Sequence, residues 1–233
     1  LQISRAQELG DAWLEVYFRH WALQSRVLHR SDARRLGDAI EALEFSHRDA
    51  CRGCPQTTCT VQDVASCYGL VDGAGYAGER LAVCDEALAG LTPAWSCFVC
   101  ISNERIDAMI DAGDVSGAAA FADAQRKQLA AAGDAERESL LNLEEILLRQ
   151  GKYDEALAWT TQSASDRDDS ESERMKRKLM NGLLYANLGN AEAARAALPP
   201  LAELADRPGQ LPRWLRLATL LAELGMLENT AML

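Results

Sequence analysis

Apolar residues recur along this chain at the three- and four-residue intervals of an amphipathic helix, in stretches cut by glycine. Leu140, Leu141, Leu143, Ile146 and Leu147 form one such face. Trp13, Leu14, Val16 and Tyr17, then Leu36, Ile40 and Leu43, read as a long helix pair over 4–50. Glycine supplies the stops, because the left-handed residue that ends a helix suits it best. Gly113, Gly151 and Gly189 are 38 residues apart both times, with Gly73 40 before the first and Gly225 36 after the last. A few residues beyond the three central glycines stand Ala118, Ala156 and Ala194, small enough to let a second helix approach the first closely. Fixed spacing of this kind marks stacked helix pairs. It predicts an all-α chain, more than about 60% helical and without a sheet, well above the usual one-third. The expected organisation is one domain over 1–233. A divergent helix pair occupies 1–60, repeats occupy 61–92, 94–131, 135–166 and 171–206, and a truncated terminal repeat occupies 211–233. The polar, acidic stretch 163–172 is expected to be a mobile connection.

The residues around these glycines resemble a known family. Gly151-Lys152-Tyr153-Asp154-Glu155-Ala156-Leu157 is similar to the turn and second-helix start of a tetratricopeptide repeat. Gly182, Tyr185, Gly189 and Ala194 match four signature positions of the next unit, and Trp214, Leu217, Leu221 and Gly225 match those of a last one. The resemblance runs from about 94 to 230, with a period of 36–40 in place of the family's 34. It implies a right-handed α-solenoid whose first helices line a concave surface for a peptide or helix. Register with the family puts Asn103, Asp107, Glu138, Asn142, Glu145, Lys176, Leu183 and Asn187 on that surface. Glu145 and Leu183 stand where some members carry the Asn residues that grip a chain-terminal carboxylate. Capture of acidic chain ends is therefore not expected.

Charge narrows the partner. The formal net charge is −11, which repels phosphate backbones and argues against nucleic acid. A basic peptide or protein suits it better, although acid on a helical surface also serves solubility alone. Of 24 basic residues 20 are Arg and 4 are Lys, a skew that reads as bacterial GC-rich codon usage. No apolar run approaches the roughly 18 residues of a membrane span, so no membrane partner is expected. The start, Leu1-Gln2-Ile3-Ser4-Arg5, lacks both a Met and a signal-peptide layout, which suggests a segment of a longer cytoplasmic protein.

Six of the seven cysteines fall between 51 and 97, and the seventh is Cys100. Cys51-Arg52-Gly53-Cys54 and Cys97-Phe98-Val99-Cys100 form a doubled CxxC whose inner spacing suits a tetrahedral zinc. If helices alternate direction, both pairs lie on one edge of the stack, so Cys51, Cys54, Cys97 and Cys100 are candidate ligands of a structural zinc. Cys59 and His47 are stand-ins on the same edge. Packed thiols, or a redox-active pair, are the alternatives. Cys67 and Cys84 occupy core positions. The segment Gly73-Ala74-Gly75-Tyr76-Ala77-Gly78 is a literal GxGxxG, but a dinucleotide loop also needs a preceding strand, and 61–71 does not read as one. His20, His29 and His47 have no nucleophile pattern nearby and are expected on helix surfaces or boundaries. No catalytic set is apparent, so the chain reads as a binding scaffold, with a metal- or redox-responsive regulatory module of a larger protein as the second reading.

Overall fold

Helix boundaries in this protein are written in dipeptides. Gly10-Asp11, Gly113-Asp114 and Gly189-Asn190 each set a glycine with positive φ (66°, 81° and 76°) before a short polar residue that caps the next helix. Asp11 Oδ1 accepts from the Leu14 amide at 3.0 Å, Asp114 Oδ1 from Gly117 at 2.8 Å and Asn190 Oδ1 from Ala193 at 3.0 Å. The amides of Lys152 and Asn190 return to the carbonyls of Leu147 and Tyr185, both at 2.9 Å, closing the stop that glycine permits.

The computed structural model describes residues 2–29, 35–72, 74–138, 140–165 and 171–199, with Leu217 and Thr219. The described helices are α1 (Gln2–Leu9), α2 (Ala12–His29), α3 (Arg35–Ser46), α4 (Gln56–Asp72), α5 (Ala77–Ala89), α6 (Phe98–Asp111), α7 (Val115–Ala131), α8 (Ala135–Glu138), α9 (Glu144–Arg149), α10 (Tyr153–Ser165), α11 (Glu171–Asn187) and α12 (Ala191–Ala197). A 3-10 turn covers Asp49–Cys51. Among the described residues helix amounts to 79% and no strand occurs.

The chain divides into two compact units, 1–112 and 113–233, with the boundary inside the expected 94–131 repeat. In the first, α1 packs on α2, α2 on α3 and α4, α3 on α4, α4 on α5 and α6, and α5 on α6. Its core gathers Leu23, Ala39, Ala42, Val61, Val64, Cys67, Leu70 and Val83. In the second, α7 packs on α9, α9 on α10 and α11, α10 on α11, and α11 on α12. Leu148, Ala156, Met175, Leu179, Met180, Leu183, Leu184 and Leu217 form its core. Ala118, Ala156 and Ala194 are fully buried, as the small-residue positions predict. Gly182 serves the same end, since a Cβ there would lie 2.5 Å from Leu198 Cδ2.

Three expectations change in detail. The pair expected over 4–50 contains an extra helix, because Gly10-Asp11 separates α1 from α2. The first helix expected in the 135–166 repeat, through Leu140, Leu141, Leu143, Ile146 and Leu147, is interrupted between α8 and α9. There the Leu141 carbonyl accepts from the Trp159 indole at 3.2 Å and from the Leu143 amide at 2.9 Å, bonds that replace the helical ladder. The polar stretch 163–172 is helical at both ends, in α10 to Ser165 and in α11 from Glu171, and 166–170 lie outside the described residues. The terminal repeat over 211–233 also lies outside them, apart from Leu217 and Thr219.

Candidate functional site

The inner face of α2 is buried through Glu15, Val16, His20 and Leu23. Its outer face carries Trp13, Tyr17 and Trp21, spaced i, i+4, i+8 and 48%, 43% and 49% exposed. That spacing drifts by only about 40° per step, so the three rings share one stripe. Tyr17 and Trp21 meet edge to face at 6.1 Å, and Trp21 meets His20 at 5.3 Å. Trp13 stands over the turn at Gly53, 4.0 Å from where a Cβ would be. Three large aromatics standing together in water are the kind of surface that partners cover.

Beneath the stripe, His20 is almost fully buried rather than at a surface, which corrects the sequence expectation. Its Nε2 lies 2.9 Å from Asp63 Oδ2, and its Nδ1 lies 2.6 Å from Gln56 Nε2. The Gln56 amide can donate to Nδ1 while Nε2–H donates to Asp63, which fixes the ring between α2 and α4. Burial raises the Asp63 carboxyl above its ordinary range, and the bond and charge of His20 oppose that rise. His47 differs: it is half exposed and 2.8 Å from Glu86. The side chain of His29 lies outside the described residues.

A second polar set lies between α4, α5 and α6. Arg80, 2% exposed, meets Glu104 at 3.3 Å and Asp111 at 2.5 Å. Ser66 donates to the other Glu104 oxygen. Gly69 makes room for the guanidinium, since a Cβ there would lie 3.1 Å from its Cζ. Burial works against the charge, but Glu104, Asp107 and Asp111 outweigh it and hold the guanidinium protonated.

All seven cysteines are thiols. Cys51 and Cys54 are buried with Val16 and Phe45, and the Cys51 thiol donates to the Phe45 carbonyl at 3.3 Å. Cys97, at the N-cap of α6, has its sulfur 3.4 Å from that of Cys59 on α4. Cys100 is exposed one turn into α6. Cys67 and Cys84 are fully buried, as expected, and burial pushes their thiols up to about 11 and about 12. Sulfurs from α4 and α6 therefore meet through Cys59 and Cys97, not through the two CxxC pairs. Among the described residues no three His, Cys, Asp or Glu side chains are grouped to hold a metal.

The residues expected on a concave surface are dispersed in character. Asn103 is half-buried and Asp107 is buried beside Arg80. Half-buried Glu138 pairs with Arg126, and half-buried Lys176 with Glu144 at 3.1 Å. Asn142 is half-buried, and Asn187 donates back to the Leu183 carbonyl at 2.8 Å. Glu145, 2% exposed, is held by Arg149 at 3.2 Å, and Leu183, 1% exposed, is a core residue of the second unit. Neither Glu145 nor Leu183 presents its side chain to solvent.

The chain matches no protein-family model, no curated protein and no solved structure. No described helix is long and apolar enough to cross a membrane. The GxGxxG segment follows α4, a helix where a dinucleotide loop needs a strand, and its Gly73 lies outside the described residues. Sequence reasoning misplaced His20 and passed over Asp63, Arg80 and the exposed side of α2. The one available signal was Gly69, a glycine inside a helix, which marks a close approach.

Proposed function

We propose that this chain is a peptide- or protein-binding scaffold, a right-handed solenoid of tetratricopeptide-like helix pairs, and that it binds rather than catalyses. The observation that carries the binding reading is the exposed stripe of Trp13, Tyr17 and Trp21 on α2. Covering three half-exposed aromatics removes roughly 300 Å² of surface from water, or about 7 kcal/mol before the costs of association. Those costs are of similar size, so the stripe offsets them and further contacts supply the net affinity. Aromatic faces accept apolar side chains and cations alike, and a chain of net charge −11 draws basic segments toward them. The occupant we assign is accordingly a basic, amphipathic peptide segment of another protein, not a nucleic acid or a membrane.

The order of helix packing supports the solenoid. Taking α2, α4 and α6 as first helices and α3 and α5 as second helices, α2 and α4 each touch their own second helix and the next first helix, and α3 and α5 each touch the following first helix. The second unit repeats this order from α9 to α12. Such nearest-neighbour packing is how stacked repeats hold together. For the cysteines, a zinc shared by Cys51, Cys54, Cys97 and Cys100 requires Cys51 and Cys54 to leave their pocket between Val16 and Phe45. Packing is the reading we favour for that pair.

The test is a subtractive selection. A display library of random 15-residue peptides is panned against the full chain and counter-panned against Trp13→Ser/Trp21→Ser, with circular dichroism confirming equal helicity. Peptides of net positive charge, enriched only on the unmodified chain, are expected. Enrichment indistinguishable between the two proteins overturns the assignment of the stripe.

A further inference from the structure

We propose that Cys59 and Cys97 are a reversible redox-modification site, closing as a disulfide that fastens the start of α6 to α4. The two sulfurs are already in contact at 3.4 Å, across 38 residues of sequence. A disulfide places them about 2.05 Å apart, so closure needs a shift of about 1.4 Å, within the reach of two side-chain rotations and a small backbone adjustment. The backbone there can adjust, because Cys97 ends the non-helical connection 90–97 between α5 and α6. Both residues are partly accessible, and Cys100 is exposed one turn further on. The other thiols lack this arrangement. Cys67 and Cys84 are sealed in the core, and Cys51 and Cys54 are enclosed with Val16 and Phe45.

The chemistry runs by thiol–disulfide exchange with a small disulfide such as oxidised glutathione. The Cys97 thiolate attacks one sulfur of the small disulfide. A mixed disulfide forms, and the other sulfur leaves as a thiolate that takes up a proton. Cys59 then gives its proton to solvent, and its sulfur attacks Cys97 Sγ, expelling the second small thiol. Two protein thiols and one small disulfide thus become one protein disulfide and two small thiols, with two electrons passing to the oxidant. Cys59 acts in the second step because its sulfur lies against Cys97 Sγ, where the mixed disulfide forms.

Closure has a structural consequence. It cross-links a loop that contains most of α4, all of α5 and the connection to α6, which restricts the unfolded chain. The full chain, purified under reductant, is equilibrated in buffers of graded glutathione ratio and alkylated, and its cross-linked peptides are sequenced by tandem mass spectrometry. A Cys59–Cys97 link that forms and reverses with the ratio is expected, together with a rise in melting temperature on the order of 10 °C for the oxidised form. Cys59→Ser and Cys97→Ser should lose both responses, whereas Cys100→Ser should keep them. The proposal is overturned by a Cys97–Cys100 link with Cys59 still alkylatable. It is equally overturned by stoichiometric zinc that shields these thiols until chelation, or by thiols that stay reduced in excess oxidised glutathione. The peptide-level readout comes from the unsubstituted protein, so it stands even if a serine variant folds poorly, and it is independent of peptide binding at α2.

Discussion

Replacing Arg80 by Met keeps the length and most of the volume of the side chain but removes the positive charge that α5 sets against Glu104, Asp107 and Asp111. Arg80 and Glu104 are 3% and 9% exposed at the side chain, and Asp111 is 9% exposed. Water therefore screens the remaining carboxylates little. Removing one partner of a buried ion pair costs about 3–5 kcal/mol, because the other charge stays buried without its counter-ion. The midpoint of thermal unfolding of 1–112 should fall by on the order of 10 °C or more. Neutralising Arg80 together with two of its partners reverses part of this: Arg80→Met with Glu104→Gln and Asp111→Asn should be less destabilised than Arg80→Met alone, since Glu104 and Asp111 are then neutral and Asp107 keeps the one remaining charge of the set. Urea titration followed by circular dichroism, with the single, double and triple variants forming a cycle, measures both quantities. An Arg80→Met protein as stable as the unmodified one, or a triple variant whose losses simply add, would refute the view that this charge set organises the packing of α4, α5 and α6.

Other outcomes follow from the same geometry. Ala156→Leu, at a fully buried position between α10 and its neighbours, should cost about 1–3 kcal/mol by overpacking, while Ala158→Leu at an exposed position of α10 should change stability little; chemical denaturation compares the two. Burial raises Asp63 above its ordinary 3.8, with His20 opposing and Glu104 adding to the rise, so the folded protein takes up this proton at higher pH than the unfolded chain. The site's stabilising contribution is then fully present below 3.8 and lost as pH rises through the folded value. The stability of the unmodified protein relative to Asp63→Asn should accordingly increase as pH is lowered from 7 to 4, read by urea titration at each pH. Under native conditions at pH 8, timed alkylation with mass spectrometry should find Cys100 modified first and Cys67 and Cys84 last, because the latter two are buried and weakly ionised.

What was legible in the sequence is what repeats. A glycine stop must recur wherever a helix ends in a tight turn, and a small residue must recur wherever paired helices approach, so Gly113, Gly151, Gly189, Ala118, Ala156 and Ala194 announced themselves by spacing. The broken helix at 140–143 was not legible, because Leu140, Leu141 and Leu143 keep helical periodicity while the Trp159 indole claims the Leu141 carbonyl. The polar interior was hidden for a related reason. His20 and Asp63, Arg80 and Glu104, and Cys59 and Cys97 are each joined by how separate helices dock, and residues 24–43 positions apart leave no periodic trace. The CxxC spacing is local information and drew attention to neighbours in sequence, while the contact between thiols is set by the packing of α4 against α6. Trp13 and Tyr17 were visible as apolar positions, but period alone does not say which of two apolar faces of a helix stays in water.

The central claim is that the outer face of α2 receives a basic peptide. Isothermal titration calorimetry of a peptide enriched on the full chain tests it most directly, with the unmodified protein beside Trp13→Ser/Trp21→Ser. Aromatic anchors at the centre of an interface contribute about 2 kcal/mol or more on truncation. The double variant should therefore bind at least about 30-fold more weakly, with unchanged helicity and melting temperature. Equal affinity for the two proteins would contradict the claim and place the binding surface elsewhere on the chain.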